Sequence, residues 1–378
     1  MTKRVTIFHP FSPSVVGISE DIVPKSHSRP HVLAMMRLAA GGYVTTMEYM
    51  TDRLFPYSTN DAGVEWKFWP VSKRWSADHK KWRKQSSFLA WFRFRFNTPD
   101  VSIINMSGHL SPFTHTIAGL ILQRQKKYVA MVGGVHLNIT AKAAKYYKEA
   151  HHILVHTRIQ KQQMEAMPEL KGCDIRVFPL GVDCNKYVPA PRVAKKGIQL
   201  LYVGRITQLK RIHLAIESLE LLVKNGFADA TLTIIGPQSQ EEYFKHLNQL
   251  IKDKGLEQSV RFEGFVEHGK IIKYYQEADL FLFPSEHESF GMVMIESMAC
   301  GTPVVAIEGS GGPVDVITNG VDGIITTVEG YAQSVLNIFK TSGKLDAFRL
   351  NARKTAVEQY SLDETYRALK TTVESCLS

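Results

Sequence analysis

Cysteine is scarce in this chain: four in 378 residues, at 173, 184, 300 and 376, with no Cys-x-x-Cys spacing. A disulfide-stapled scaffold and a zinc ribbon are thereby set aside, and reduced thiols in a cytosolic protein are expected. Long apolar runs are lacking too. None reaches the roughly 18 uninterrupted residues that a bilayer-spanning helix needs, and the apolar stretch at 116–122 ends in Gln123 and Arg124. The amino terminus, Met1-Thr-Lys-Arg, starts basic, but only residues 5–8 are apolar before His9 and Pro10. That pattern reads as a first strand rather than as a signal peptide. There is no repeat at a solenoid period and no low-complexity tract. What is plentiful is apolar material, 44% of residues, ample for two cores of about 150–200 residues each. A disordered or collagen-like chain is excluded.

Acidic residues are short in the first half only. Residues 1–196 carry 29 Lys and Arg against 13 Asp and Glu, whereas 197–378 carry 17 against 23. A basic half beside an acidic one suggests that the first faces a phosphate-bearing or membrane-surface partner. All five tryptophans (Trp66, Trp69, Trp75, Trp82, Trp91) fall within 65–96, interleaved with Lys73, Arg74, Lys80, Lys81, Arg83, Lys84, Arg93 and Arg95. Trp favours the headgroup layer, and each Lys or Arg adds about 1 kcal/mol at an anionic surface. Peripheral membrane contact through 73–96 is therefore expected, with Trp75, Lys80, Lys81, Trp82, Arg83, Lys84, Trp91, Arg93 and Arg95 as the interface. Two alternatives stand beside it: a solvated charged face with Trp packed inward, and a single-stranded nucleic-acid platform, which no RNP, KH or zinc-knuckle pattern accompanies.

Short β-rich runs at 5–8, 101–105, 128–132 and 153–155 alternate with helical spacing. After the Pro-rich break at 188–192 a second series begins, at 198–203, 231–235, 260–262, 280–283, 303–306 and 323–326. Two parallel α/β domains follow, with their joint near 184–197. In such sheets ligands bind beyond the carboxyl ends of strands, so motifs just after strands are where chemistry is sought.

Two such motifs stand out. The strand ending at Val203 runs into Gly204-Arg205-Ile206-Thr207-Gln208-Leu209-Lys210, then a helix. One loop thus offers a guanidinium fork and a point charge to an anion, a diphosphate clamp in outline, although surface ion pairing would use the same residues. The second motif, Pro284-Ser285-Glu286-His287-Glu288-Ser289-Phe290-Gly291-Met292, ends a buried strand and opens a helix whose first N–H groups lack intrahelical partners. Glu288 and Glu296 stand eight positions apart. A carboxylate accepts two bonds from vicinal hydroxyls, so the pair suits a nucleotide sugar better than bare phosphate.

Taken jointly, Gly204-Arg205-x4-Lys210, the Gly264-Phe-Val266 segment, Ala278-Asp279-x4-Pro284-Ser285, Glu288-x7-Glu296, Ala299-x-Gly301-x-Pro303 and 310–323 resemble the retaining GT-B glycosyltransferases of the group 1, glycogen-synthase-like family. The resemblance implies two Rossmann-like, doubly wound parallel-sheet domains facing a central cleft: 1–190 on the acceptor side, 191–360 for the nucleotide sugar, and 361–378 as a helix crossing back to the first. It implies a cytoplasmic, retaining enzyme that moves a hexose-type sugar from a UDP- or GDP-linked donor without an essential metal or cofactor.

In that scheme Arg205 and Lys210 stand in for a divalent cation at the leaving diphosphate. Glu288 holds donor-sugar hydroxyls beside the backbone of Phe290, Gly291 and Met292. Glu296 takes the ribose, the base lies near Gly264 and Val266, and Gly204 turns the clamp loop. His136, after Val132-Gly-Gly-Val135, occupies the place of the family's active-site His, with His109 as a second candidate toward the acceptor. The loop at 10–30 lacks the Gly-Gly pair of many members, Ser289 stands where Gly is common, and Leu180 where Asn is common.

With its basic, Trp-rich segment on the acceptor domain, the chain is expected to serve a membrane-associated glycan or lipid-linked acceptor in surface polysaccharide or glycolipid synthesis, and not nucleic acid. A soluble small-molecule or protein acceptor is the alternative. A non-hydrolysing epimerase, a PLP-dependent phosphorylase and a non-catalytic scaffold on the same fold fit the motifs less well.

Overall fold

The structure, a computed structural model, describes residues 2–25, 29–74, 78–133, 139–191 and 196–378. The expected site residues His136 and Trp75 lie outside them, as does the side chain of Trp82. The chain divides into two compact units, Met1–Leu180 with Leu362–Ser378, and Gly181–Ser361.

The first unit is built on eight strands: β1 (Arg4–Phe8), β2 (Val44–Thr51), β3 (Tyr57–Asp61), β4 (Val64–Pro70), β5 (Val101–Ile104), β6 (Lys127–Met131), β7 (His152–Val155) and β8 (Ile175–Val177), ordered β3-β4-β2-β1-β5-β6-β7-β8. All neighbours are parallel except β3 and β4. Those two form a hairpin whose two-residue turn, Ala62-Gly63, has both φ angles positive, as the right-handed twist of a tight hairpin requires. The central strands are apolar runs because helices cover both faces of a parallel sheet.

Strands β2 to β4 carry a different signal. Val64, Trp66 and Phe68 of β4 are buried and alternate with Glu65 and Lys67, so Trp66 is a core residue. On β2 the carboxylate of Glu48 is enclosed, accepting from Trp69 Nε1 at 2.8 Å, Arg93 at 3.2 Å and Thr46 Oγ1 at 3.3 Å.

The helix Leu362–Leu377 packs Leu369, Val373 and Cys376 into this unit's core, and Thr365 donates to the Pro179 carbonyl at 2.9 Å.

The second unit has six parallel strands, β9 (Gln199–Val203), β10 (Thr231–Ile235), β11 (Val260–Gly264), β12 (Leu280–Phe283), β13 (Val304–Ile307) and β14 (Gly323–Thr326), ordered β11-β10-β9-β12-β13-β14. The chain winds outward from β9 to one edge, then returns to β12 beside β9 and winds to the other. That leaves a topological switch point between β9 and β12, as between β1 and β5 in the first sheet.

The expected joint at 190 falls inside this unit, whose boundary is Leu180/Gly181. Backbone pairing explains the difference: Val182 N donates to Tyr360 O at 2.8 Å, and Arg353 donates to the carbonyls of Cys184, Tyr187 and Ala299 at 2.7–2.9 Å. Among the described residues no helix is long and apolar enough to cross a membrane, and all four cysteines are free thiols.

Candidate active site

At the carboxyl edge of the second sheet the backbones of three loops are zipped together. Gly204 N donates to Ile235 O at 2.9 Å, Ile206 N to Pro237 O at 3.0 Å, and Gly236 N to Gly264 O at 2.8 Å. A Cβ on Gly236 would stand 2.0 Å from the Gly204 carbonyl oxygen, so only hydrogen fits there. Gly236 was not among the expected residues; its signal, a Gly directly after a strand, was the same as that of Gly204.

The loop after β9 then turns through Gln208–Lys210 and meets the loop after β12 across the switch point. Lys210 Nζ lies 2.6 Å from Glu288 Oε2, with 15% and 22% of the two side chains exposed. Arg211 pairs with Glu286 at 3.2 Å, and Glu286 N donates to Leu209 O at 2.9 Å. The two residues expected to act on diphosphate and sugar are thus in contact, although 78 positions separate them in sequence. Arg205, on the same loop, is exposed, and among the described residues no carboxylate pairs with it.

Glu288 is itself held from behind. Its N–H donates to Ser310 O at 2.7 Å and its carbonyl accepts from Gly312 N at 2.9 Å. Close contact requires glycine at both neighbours: a Cβ at Gly311 would lie 2.5 Å from Glu288 O, and one at Gly312 2.5 Å from Phe290 Cα. Gly291, at φ 87°, turns the chain into the helix Met292–Ala299. Among the described residues the N–H groups of Phe290, Gly291 and Met292 have no acceptor, which leaves a small cluster of donors at a helix start. Phe290 is buried against Tyr360, with ring centroids 5.9 Å apart. Val266 is half-buried beside the exposed Gly264.

Glu296 occupies the body of that helix and is buried. Tyr275 donates to its Oε2 at 2.9 Å, and His268 Nε2, itself 2.7 Å from Tyr187 OH, lies 3.7 Å from Oε1. Burial raises its pKa from 4.5 to about 7, against the lowering effects of the Tyr275 hydrogen bond and Lys186.

In the first unit the switch point between β1 and β5 holds a polar cluster that sequence reasoning missed. His9, just after β1, is stacked on Tyr49 with centroids 3.9 Å apart; its Nε2 meets Tyr49 OH at 3.1 Å and Asn105 Nδ2 at 2.9 Å. His31 is buried 6.0 Å away, its Nε2 without a partner. Burial, then Arg29, pushes His31 down to about 3, and burial lowers His9 and His156 as well, so all three are neutral imidazoles. His9 followed a predicted strand directly, which was the available signal.

His109 sits in the short turn Ser107–His109, with its Nδ1 2.5 Å from Arg83. Among the described residues one group of metal-type ligands converges, His151, His152 and Cys376, whose ligand atoms lie within 4.8 Å. It stands at the amino end of β7, and Ser375 already bonds both imidazoles. Burial and Arg176 lower His152 to about 4, and burial raises the Cys376 thiol to about 11, so the thiolate a metal needs is scarce.

The expected membrane interface needs one correction. Arg93 points inward, its side chain 9% exposed and paired with Glu48 at 3.2 Å, because the enclosed carboxylate requires a cation. Lys80, Lys81, Arg83 and Lys84 are exposed. Trp91 and Arg95 are half-buried, Trp91 stacked on Phe88 and Arg95 lying over Phe96.

Residues 185–355 match the family described as glycosyl transferases group 1. An uncharacterised glycosyltransferase of Methanocaldococcus jannaschii is 32% identical over 182 residues, 46% of this chain and 45% of that protein. The D-inositol 3-phosphate glycosyltransferase of Actinosynnema mirum is 28% identical over 237 residues, 58% of this chain and 56% of the relative. The chain therefore spans about half the length of the curated relatives it matches. Among solved structures, the Anabaena protein HepE in complex with UDP superposes with a TM-score of 0.73 at 18% identity, covering 99% of this chain and 100% of that one. The fold, two parallel-sheet α/β domains, is GT-B.

Proposed function

We propose that this chain, a member of the group 1 glycosyl transferases through residues 185–355, transfers a hexose-type sugar from a UDP- or GDP-linked donor with retention of configuration and without a metal or cofactor. The observation that carries this reading is the Lys210–Glu288 contact across the second sheet's switch point, beside the free N–H groups of Phe290, Gly291 and Met292. The pair is a resting arrangement in which each group satisfies the other. An arriving diphosphate draws Lys210 away, and Lys210 and Arg205 together neutralise the charge that grows on it as the bond between anomeric carbon and diphosphate oxygen breaks. The acceptor oxygen bonds to that carbon on the face the diphosphate leaves, and its proton passes to the departing diphosphate oxygen. Such preorganised donors are worth about 3–4 kcal/mol each in the transition state.

Release from Lys210 leaves Glu288 to accept from sugar hydroxyls, with the Phe290–Met292 amides beside it. Glu296 accepts from the ribose once ionised, and the base lies against Gly264 and Val266. His136, which lies outside the described residues, is proposed for the sugar on the family resemblance alone. HepE, which shares the fold, was solved with UDP, and that likeness supports a nucleotide in this chain.

The acceptor is proposed to be a membrane-associated glycan or lipid-linked saccharide of surface polysaccharide or glycolipid synthesis. The protein would then lie peripherally on the cytoplasmic face of the membrane, through Lys80, Lys81, Arg83 and Lys84.

A metal-free thermal-shift panel with UDP, GDP, ADP, TDP and their hexose conjugates tests the donor half. A ligand at 100 times its Kd adds about 2.7 kcal/mol. Selective stabilisation by one nucleotide, lost in Arg205→Ala and unaffected by chelator, is expected. Stabilisation by none of them, with no transfer product, would remove the proposal.

A further inference from the structure

The first unit contains a pocket of about 770 Å³ that none of the donor-site residues lines; its walls include Arg83, Lys84, Trp91, Leu110, Phe113 and Thr116. Its size is that of a small-molecule site. Its walls are aromatic and aliphatic, while Arg83 and Lys84 are exposed cations. Arg83 also reaches His109 Nδ1 at 2.5 Å, so the basic segment is held against the loop that follows β5. An apolar interior next to two cations suits an amphipathic anion: one hydrocarbon chain with a phosphate head.

The adjoining helix Phe88–Phe96 says where such a molecule would come from. Ala90 and Phe94 face the core, Phe94 packing on Phe8 at 5.1 Å, while Arg93 turns in toward Glu48. The opposite stripe, Phe88, Leu89, Phe92 and Phe96, is open to solvent, with Phe92 50% and Phe96 58% exposed. Phe88, Phe92 and Phe96 recur at i, i+4 and i+8, and Leu89 lies three positions before Phe92, so they form one face. That face and the pocket are continuous, because Trp91 in the pocket wall stacks on Phe88 with centroids 5.9 Å apart. Exposed aromatics flanked by Lys80, Lys81, Arg83, Lys84 and Arg95 complement an anionic bilayer surface rather than a neutral protein face.

We propose that the helix face Phe88, Leu89, Phe92 and Phe96 lies in the headgroup layer and that the pocket takes the hydrocarbon chain of a phosphate-bearing lipid acceptor, its phosphate held by Arg83 and Lys84. The proposal rests on the membrane-borne acceptor of the preceding section and names its chemical class.

The test uses dodecyl phosphate for the pocket and phosphatidylcholine vesicles with and without phosphatidylglycerol for the helix, on the full chain. Dodecyl phosphate is expected to bind the wild type, and Thr116→Trp, which fills the pocket, to weaken it about tenfold while leaving vesicle sedimentation unchanged. Phe92→Glu with Phe96→Glu should abolish sedimentation on phosphatidylglycerol vesicles and leave nucleotide stabilisation intact. Inorganic phosphate should bind at least about tenfold more weakly than dodecyl phosphate.

Equal affinity for dodecyl phosphate in wild type and Thr116→Trp overturns the pocket, as does binding of inorganic phosphate as strong as that of the alkyl ester. Unchanged sedimentation of the Phe92/Phe96 variant overturns the helix face. Failure of every nucleotide to stabilise the wild type would instead remove the transferase reading. The alkyl phosphate result is independent of that one.

Discussion

Replacing Glu296 by Gln should strengthen the empty protein and weaken its grip on nucleotide, and the two effects should have different pH profiles. In the fold the carboxyl is buried, with a pKa raised from 4.5 to about 7. The folded state therefore holds this proton more tightly than the unfolded chain does. Its contribution is fully present below about pH 4.5 and is lost as pH rises through 7. At 1.36 kcal/mol per pKa unit the loss is about 3 kcal/mol in all, most of it between pH 5 and pH 8.

Gln keeps an oxygen for Tyr275 and has no charge to desolvate. The variant should approach wild-type stability at pH 5 and exceed it at pH 8. For a unit of this size about 3 kcal/mol corresponds to roughly 6–12 °C in Tm. Nucleotide affinity should move the other way. Ribose hydroxyls donating to a carboxylate make charge-assisted bonds of about 1.5–3 kcal/mol, so the variant should bind about 10–100-fold more weakly at pH 8. Wild-type affinity should climb up to about pH 7 and then level off. Thermal melts of both proteins at pH 5, 6, 7 and 8, with and without nucleotide, supply every number, and the comparison cancels all other titrating groups. A stability difference that is constant across that range would refute the argument that burial sets this proton.

Lys210→Met should lower kcat by about 10²–10³ with a smaller change in donor KM, because the cation acts on charge that appears only as the bond breaks; steady-state kinetics showing a KM effect alone would count against it. Gly236→Ala pushes a methyl to 2.0 Å from the Gly204 carbonyl, so the ends of β9 and β10 must part. The expected result is a fall of several degrees in Tm together with loss of nucleotide stabilisation, read in one melt series. Arg93→Met strands the enclosed Glu48 and should cost about 3–5 kcal/mol, whereas Arg95→Met should stay within about 0.5 kcal/mol. Urea unfolding of the two variants separates a core ion pair from a surface charge.

The alternation of strands with helices was legible because a parallel sheet buried on both faces writes itself as continuous apolar runs, as at β5, β12 and β13. Strands β2, β3 and β4 were not seen. Glu48 interrupts the apolar pattern of β2, and its partners Trp69 and Arg93 belong to the very segment whose Trp and Arg content suggested a surface. Composition cannot tell a buried Arg–Glu pair from an exposed cation, since the difference is a contact between residues 45 positions apart.

By itself the sequence determined the two-domain α/β class, the clamp and carboxylate motifs, and the places after strands where chemistry gathers, because glycine, helix-start and strand signals act within a few residues. Only the tertiary structure decided that Lys210 and Glu288 touch, that Glu296 is enclosed enough to hold its proton near neutrality, and that His9, His31 and Tyr49 form one neutral cluster. These are consequences of strand order and burial. A switch point brings together loops that the chain keeps far apart, and the removal of water that shifts a pKa has no local signature in the residues it affects.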